Sequence, residues 1–309
     1  MPTTATEYAG VGTLQPQLIL DWYAGAARDL PWRDRSVSPW AVLVSEVMLQ
    51  QTPVARVLPM WAAWLARWAN PGALADDSPA EAVRAWGKLG YPRRAMRLHA
   101  AAQQMVARFA GNVPSAVGDL ESLPGIGAYT ARAVAAFAFG ARTPVVDTNV
   151  VRVLARAVHG RAQAGPSVTA ADRARMEALL LAEPARAALF SVAVMELGAL
   201  VCTAAAPDCP ACPIRRDCAW QRAGAPAYAG PRRRSQRFQG TDRQVRGRLL
   251  DVLRAKSEPA RIGDFDAAWA DGAQRNRALD SLLADSLVER LDDGRLVLAG
   301  ERPRQERSG

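Results

Sequence analysis

Lysine is nearly absent from this chain. Of its 39 basic side chains, all but Lys88 and Lys256 are arginine. Chemistry that needs a free amine as nucleophile therefore has few candidates, and the imino group of Pro2 on a polar tail is a poor third. Histidine occurs only at His99 and His159. His99 is expected on a helix face. His159 is expected at a helix C-terminus beside Gly160, where a cation is favoured, so neither is assigned a catalytic role. No apolar run reaches the length of a membrane span: Ala131–Phe139 is too short, and Ala187–Val201 carries Glu196. No secretory signal is read at the N-terminus, so a reducing compartment is expected and disulfides are not.

Cysteine is confined to Cys202, Cys209, Cys212 and Cys218, in the spacing C-x6-C-x2-C-x5-C. Thiols gathered in one short stretch point to a metal site. Zinc usually takes two C-x-x-C pairs, and only one is present. Four thiolates also suit a [4Fe–4S] cluster, so the spacing favours iron–sulfur and leaves zinc open.

The 309 residues have room for two or three compact units, half of them hydrophobic and with a formal net charge of +9. That charge favours a polyanionic partner, although a GC-rich genome also produces arginine-rich proteins. Met1 to Gly12 are small and polar and are expected to be disordered. Leu14 to Arg222 reads as helical almost throughout. Ser38-Pro39 marks a helix start, and Gly111, Gly140 and Gly160 mark stops. Trp61, Trp64 and Trp68 fall at helical spacing and are expected in the core, while Trp32 and Trp40 are the tryptophans to inspect for base contact. Ala223 to Gly240 reads as a linker in which Pro231-Arg232-Arg233-Arg234 could touch phosphate. Three helices are expected beyond it, at Arg243–Lys256, Ile262–Trp269 and Ala273–Arg290. A hairpin follows over Leu291–Ala299 around Asp293-Gly294. Together they form a small winged-helix-like domain at 241–300, followed by a solvated tail from Glu301 to Gly309.

Three motifs carry chemistry. Leu123-Pro124-Gly125-Ile126-Gly127 followed by an apolar helix reads as a helix–hairpin–helix, whose glycines let a phosphate approach the amides of a helix start. Glu46, within Ser45-Glu46-Val47-Met48-Leu49-Gln50-Gln51-Thr52, has apolar neighbours. If it is buried, its carboxyl keeps a proton near neutral pH; if it faces solvent, it is ordinary. Asp147, within Val145-Val146-Asp147-Thr148-Asn149-Val150, sits where a helix N-cap would sit and is expected to stay ionised. A protonated acid beside an anion is the division of labour that breaks glycosidic bonds.

These motifs occur together and in the order found in adenine DNA glycosylases of the MutY type, which the chain resembles over roughly Leu14 to Arg222. The resemblance implies a mainly α, two-lobed helix–hairpin–helix glycosylase with an iron–sulfur domain. It places a six-helix barrel lobe at about 36–142 and a cluster lobe at 14–35 with 143–222. It also implies a [4Fe–4S] cofactor on the four cysteines. The partner it implies is double-stranded DNA with A·8-oxoguanine or A·G mispairs, bound by a monomer in the cytoplasm or at the nucleoid.

Residue by residue, Glu46 matches the acid that protonates adenine N7, and Asp147 the aspartate that stabilises the sugar cation. Asn149 matches their polar partner. Tyr129 stands where lyase-active relatives carry lysine, which implies a monofunctional enzyme. Gln51 and Tyr91 match residues that wedge into the base stack, and Leu123, Pro124, Gly125, Ile126 and Gly127 match the DNA-gripping hairpin. The loop from Thr203 to Asp208 lacks the basic residues common in relatives, which Arg215 and Arg216 would have to replace. The C-terminal segment is too short for the Nudix-like domain that reads 8-oxoguanine in many relatives. A thymine glycosylase acting on G·T mismatches is the rival enzyme, and a non-catalytic iron–sulfur DNA-binding or sensing protein the rival of another class.

Overall fold

The computed structural model describes residues 14–230 and 238–301. The expected disorder of residues 1–12, the phosphate contact at Pro231-Arg232-Arg233-Arg234 and the tail beyond Glu301 lie outside the described residues. In chain order the helices are α1 (Pro16–Ala26), α2 (Pro39–Leu49), α3 (Val54–Arg67), α4 (Pro71–Ala75), α5 (Pro79–Trp86), α6 (Arg93–Phe109) and α7 (Val117–Glu121). They continue as α8 (Ala128–Phe139), α9 (Thr148–Ala157), α10 (Ala170–Leu179), α11 (Pro184–Leu200), α12 (Ala219–Arg222), α13 (Asp242–Ala255) and α14 (Gly272–Ala284). Short 3-10 turns lie at Pro31–Arg33 and Ile262–Ala268, and an antiparallel pair of strands, β1 (Val288–Arg290) and β2 (Leu296–Leu298), closes the described chain. None of the described helices is long and apolar enough to cross a membrane.

The chain divides into two compact units. One gathers the described residues of Met1–Val42, Ser115–Val117 and Gly127–Arg232. The other gathers those of Leu43–Pro114, Gly118–Ile126 and Arg233–Gly309.

The first unit is organised around α9 and α11. Buried Val150, Val153, Leu154 and Ala157 recur at helical spacing along α9 and meet Phe190, Val194 and Leu197 of α11 and Ile19 of α1 in one core. Ile214 and Cys218 belong to the same core, so the cysteine-bearing loop is packed onto these helices. Helix α8 joins this unit through Ala133 and Ala136, which pack with Val145 and Ala188. Trp32 and Trp40 are buried, at 7% and 2% exposure, which leaves little ring surface for a base. Glu196, fully buried on α11, is gripped by two arginines. Arg28 donates to it from Nε (2.8 Å), Nη2 (2.6 Å) and its backbone N–H (2.9 Å), and Arg33 from Nη1 (3.0 Å) and Nη2 (2.8 Å). Burial acts to raise its pKa, but these bonds win and hold the carboxyl at about 2.

In the second unit, α6 is the spine. Arg94, Leu98, Ala101 and Met105 recur every three or four residues on its buried face. Helices α4 and α5 pack against it. Trp64, Trp68 and Trp86 are buried with their rings edge to face, 4.6 and 5.5 Å between centroids, as expected for core tryptophans. His99 is also buried on α6, with Nε2 2.8 Å from the Asp77 carbonyl oxygen.

The C-terminal segment of this unit holds α13, a 3-10 helix, α14 and a two-stranded hairpin, with two corrections to the sequence reading. The segment Ile262–Ala268 is a 3-10 helix rather than an α-helix. The helix expected to run to Arg290 stops at Ala284, because Ser286 adopts a left-handed backbone (φ 53°) and residues 288–290 then pair with 296–298. The hairpin strands therefore bracket the Asp293-Gly294 turn from further out than expected. Ala260 adds a bridge to Leu296. This segment is bound to α5 and α6 by arginines. Arg84 Nη1 donates to the carbonyls of Leu253, Arg254 and Lys256, each at 3.0 Å, and so satisfies the open end of α13. Arg254 donates back to the Val83 carbonyl, and Asp285 receives both Arg93 and Arg246.

Candidate active site

Helix α2 starts as the sequence indicates, with Ser38 Oγ accepting from the Ala41 N–H at 3.2 Å ahead of Pro39. Eight consecutive residues, Ala41 to Met48, are buried. Glu46 is among them at 6% exposure. This removes the solvent-facing alternative for that carboxyl.

Asp147 is the N-cap of α9. Its Oδ1 accepts from the Val150 N–H and its Oδ2 from Asn149 Nδ2, both at 2.7 Å. Asn149 in turn accepts on Oδ1 from Arg152 Nη2 at 2.7 Å. Arg152 also donates to the Gly198 carbonyl (2.6 Å) and, through Nε, to the Cys202 carbonyl (2.7 Å). Asp147, Asn149 and the first cysteine are thus joined by one hydrogen-bonded chain. Arg152 was not singled out in the sequence. Gly198 has to be small here, since a Cβ on it would stand 2.7 Å from Asn149 Cβ. Burial pushes the Asp147 carboxyl up, against the bonds from Val150 and Asn149 and the Arg152 charge. The bonding still suits an anion, because both oxygens act as acceptors. Tyr129 is half-buried at the start of α8, against the Ala133–Ala136–Val145–Ala188 cluster.

Gln51 and Tyr91 are both exposed and both have left-handed backbones, at φ 55° and 48°. Strain of this kind at non-glycine residues persists only when neighbours enforce it. The enforcer is Arg94, an arginine on the buried face of α6. Its Nη1 donates to the carbonyls of Val47, Met48 and Gln50, and its Nη2 to Thr52 Oγ1 and the Gly90 carbonyl, at 2.8–3.1 Å. Burial lowers its pKa to about 10. The sequence signal was available: position 94 lies on the same helical stripe as Leu98, Ala101 and Met105.

The hairpin loop also rests on α6. Leu123 and Ile126 are buried while Gly125 and Gly127 are exposed. Gly125 has φ +79°, and a Cβ on it would lie 2.6 Å from Arg97 Cβ, so only glycine fits. Pro124 is half-buried beside it.

The four cysteines line one pocket with Arg156, Ile214, Trp220 and Gln221. Arg156 Nη1 approaches Cys202 Sγ at 3.4 Å, and Gln221 Nε2 approaches Cys209 Sγ at 3.3 Å. The buried Arg156 also donates to the Ala162, Thr203 and Ala204 carbonyls, shaping the loop that lacks basic residues. Burial raises the Cys209, Cys212 and Cys218 thiols, Cys212 to about 11. Among the described residues no three His, Cys, Asp or Glu side chains converge tightly enough for a single metal ion. A four-iron group bonds each thiolate to a different iron and so needs wider spacing. An all-sulfur donor set with N–H donors aimed at the sulfurs fits such a group. Arg215 and Arg216 are exposed on the same loop. At His159 the expected preference for a cation is reversed: burial, then Arg161 and Arg175, lowers its pKa.

Residues 44–177 match the model of the HhH-GPD superfamily of base excision DNA repair proteins. The adenine DNA glycosylase of Mycobacterium tuberculosis (strain H37Rv) is 58% identical over 286 residues, which cover 92% of this chain and 93% of that protein. The chain belongs to the adenine DNA glycosylases. The human adenine DNA glycosylase is 43% identical over 210 residues, 65% of this chain and 38% of that one. Among solved structures, a thermostable thymine-DNA glycosylase superimposes with a TM-score of 0.60 at 24% identity, covering 67% of this chain and 95% of that chain. An endonuclease III in a DNA complex gives 0.58 at 20% identity, covering 69% of this chain and 99% of that chain. These two likenesses are of fold, and the helix–hairpin–helix description comes from the family match.

Proposed function

We propose that the protein removes adenine mispaired with 8-oxoguanine or guanine in duplex DNA by hydrolysing the N-glycosidic bond, without strand cleavage. The observation that carries this reading is a carboxyl buried on α2 together with a second at the N-cap of α9 whose two oxygens both accept from N–H donors. Glu46 is withdrawn from water and takes the part of the acid in this reading. Asp147 has both oxygens occupied by N–H donors, which favours the anion against the burial that pushes its carboxyl up. With adenine flipped out of the stack, Glu46 gives its proton to N7. The C1′–N9 bond then breaks with its electron pair leaving on the purine. The carboxylate of Asp147 stabilises the resulting oxocarbenium ion, more strongly for being out of water. A water adds to C1′ and its proton restores Glu46. Asn149 and Arg152 hold Asp147 in place. Tyr129 offers no amine for a Schiff base, so no β-elimination follows.

Duplex DNA is gripped at the Leu123–Gly127 loop, and Gln51 and Tyr91 enter the stack around the mispair. A [4Fe–4S] cluster held by Cys202, Cys209, Cys212 and Cys218 would supply four iron–sulfur bonds that fix the loop against α9 and α11.

The reading is tested with Glu46→Gln and Asp147→Asn on A·8-oxoguanine, A·G and T·G duplexes. The native protein should act on the first two and not the third. Each variant should lose at least about 100-fold in single-turnover excision while still binding the duplex. Normal turnover by both variants, excision from T·G alone, or nicking without heat or alkali at the excision rate would each overturn it.

A further inference from the structure

Tyr91 stands exposed on a strained turn, and the direction of its ring is decided by what stacks on it. Two cations face that ring. Arg94 beneath it lies 5.7 Å from the ring centroid. Arg243, from the first turn of α13, lies closer, at 4.3 Å. Arg243 is also 5.9 Å from the ring of Phe238, which is 56% exposed. Tyr91, Arg243 and Phe238 therefore form an aromatic–cation–aromatic row. The row is held locally. Thr241 donates to the Phe238 carbonyl from its N–H and from Oγ1 (2.7 Å), and Gly240 N–H donates to Gln244 Oε1 at 2.8 Å.

The other arginines at this junction are committed elsewhere: Arg84 and Arg254 to backbone carbonyls, Arg93 and Arg246 to Asp285. No hydrogen bond or ion pair joins Arg243 to any other described residue, and its side chain is exposed. A guanidinium stacked by its face keeps its N–H edge available, in the geometry that suits a phosphate. Such a platform, stacking plus a backbone contact, is what a protein inserting a side chain into DNA needs.

We propose that Arg243 is a positioning residue for Tyr91. The C-terminal domain lays its guanidinium on the ring, holds it in the orientation that enters the duplex, and contacts a phosphate beside the mispair with the free edge. The proposal rests on the reading of Tyr91 as a wedge. It gives the winged-helix-like domain a task that no motif in its sequence announced.

The test is a double-mutant cycle on the full chain with Arg243→Ala, Tyr91→Ala and the pair, plus Arg243→Lys. Duplex affinity for an A·8-oxoguanine site is measured, together with the fluorescence of 2-aminopurine placed beside it, which reports local unstacking. Thermal melts check that each variant folds. Arg243→Ala should weaken binding about 5- to 10-fold and lower the unstacking signal. In the Tyr91→Ala background the same change should cost less than about twofold. Lysine should restore less than half of the loss, because it keeps the charge without the planar stack. An equal loss in both backgrounds, or full rescue by lysine, would reduce Arg243 to a phosphate contact and overturn the proposal. No loss in Arg243→Ala beside an impaired Tyr91→Ala would overturn it while the wedge stands. A neutral Tyr91→Ala would sink the wedge itself and the proposal with it.

Discussion

The Asn149 side-chain amide donates to Asp147 Oδ2 at 2.7 Å, while its carbonyl oxygen accepts from Arg152. An asparagine held at both ends cannot rotate, so it fixes the direction of the aspartate lone pairs. Replacing it with leucine leaves Asp147 Oδ2 without its donor and Arg152 without one acceptor. Single-turnover excision by Asn149→Leu should fall roughly 10- to 100-fold, with duplex affinity within about threefold of native. Equal losses in rate and affinity would show that Asn149 serves the fold instead.

Gly198 tests the same geometry from the other side. An added methyl would meet Asn149 Cβ at 2.7 Å and its carbonyl oxygen at 2.9 Å. Gly198→Ala should cost about 1–3 kcal/mol of stability through overpacking. It should also slow excision at temperatures where the protein remains folded. Thermal unfolding and a rate at matched folded fraction check both.

The hairpin loop should be equally intolerant for a different reason. Gly125→Ala forces a Cβ onto a left-handed backbone and into Arg97. If the loop grips the DNA backbone as proposed, affinity for every duplex, mispaired or not, should drop. A selective loss on mispaired duplex alone would contradict that role.

Glu196 sets the acid limit. Its folded pKa, about 2, lies below the ordinary value of 4.5. The group therefore stabilises the fold fully above about pH 4.5, and that contribution is lost as pH falls toward 2. Glu196→Ala leaves Arg28 and Arg33 unpaired and should cost about 3–5 kcal/mol at neutral pH. The gap between native and variant in urea melts should shrink between pH 5 and pH 3. A gap independent of pH would show that packing, not charge, is at stake.

The cysteine pocket predicts about four irons per chain, with a visible charge-transfer absorption, and loss of both in Cys212→Ala. One zinc per chain and no colour would overturn the iron–sulfur assignment.

Much of this was written in the order of residues. Helix starts and stops followed from Ser38-Pro39, Gly111 and Gly140, because capping and backbone handedness are local properties. The four thiols, the G-x-G loop and the tyrosine in place of an amine were equally legible. Burial was not. Sequence left Glu46 undecided between core and solvent, since periodicity cannot say which face of an apolar helix is covered. It placed Asp147 at a helix start but could not show its burial, because desolvation depends on chain segments far away. It passed over Arg152 and Arg243, since an arginine in solvent and an arginine with partners look alike in a string of letters; Arg94 was legible on the buried stripe of α6, but its acceptors were not. The chain by itself determined which chemical groups are available. Only the tertiary structure decided which of them lost water and which found partners, because both depend on contacts between residues distant in sequence.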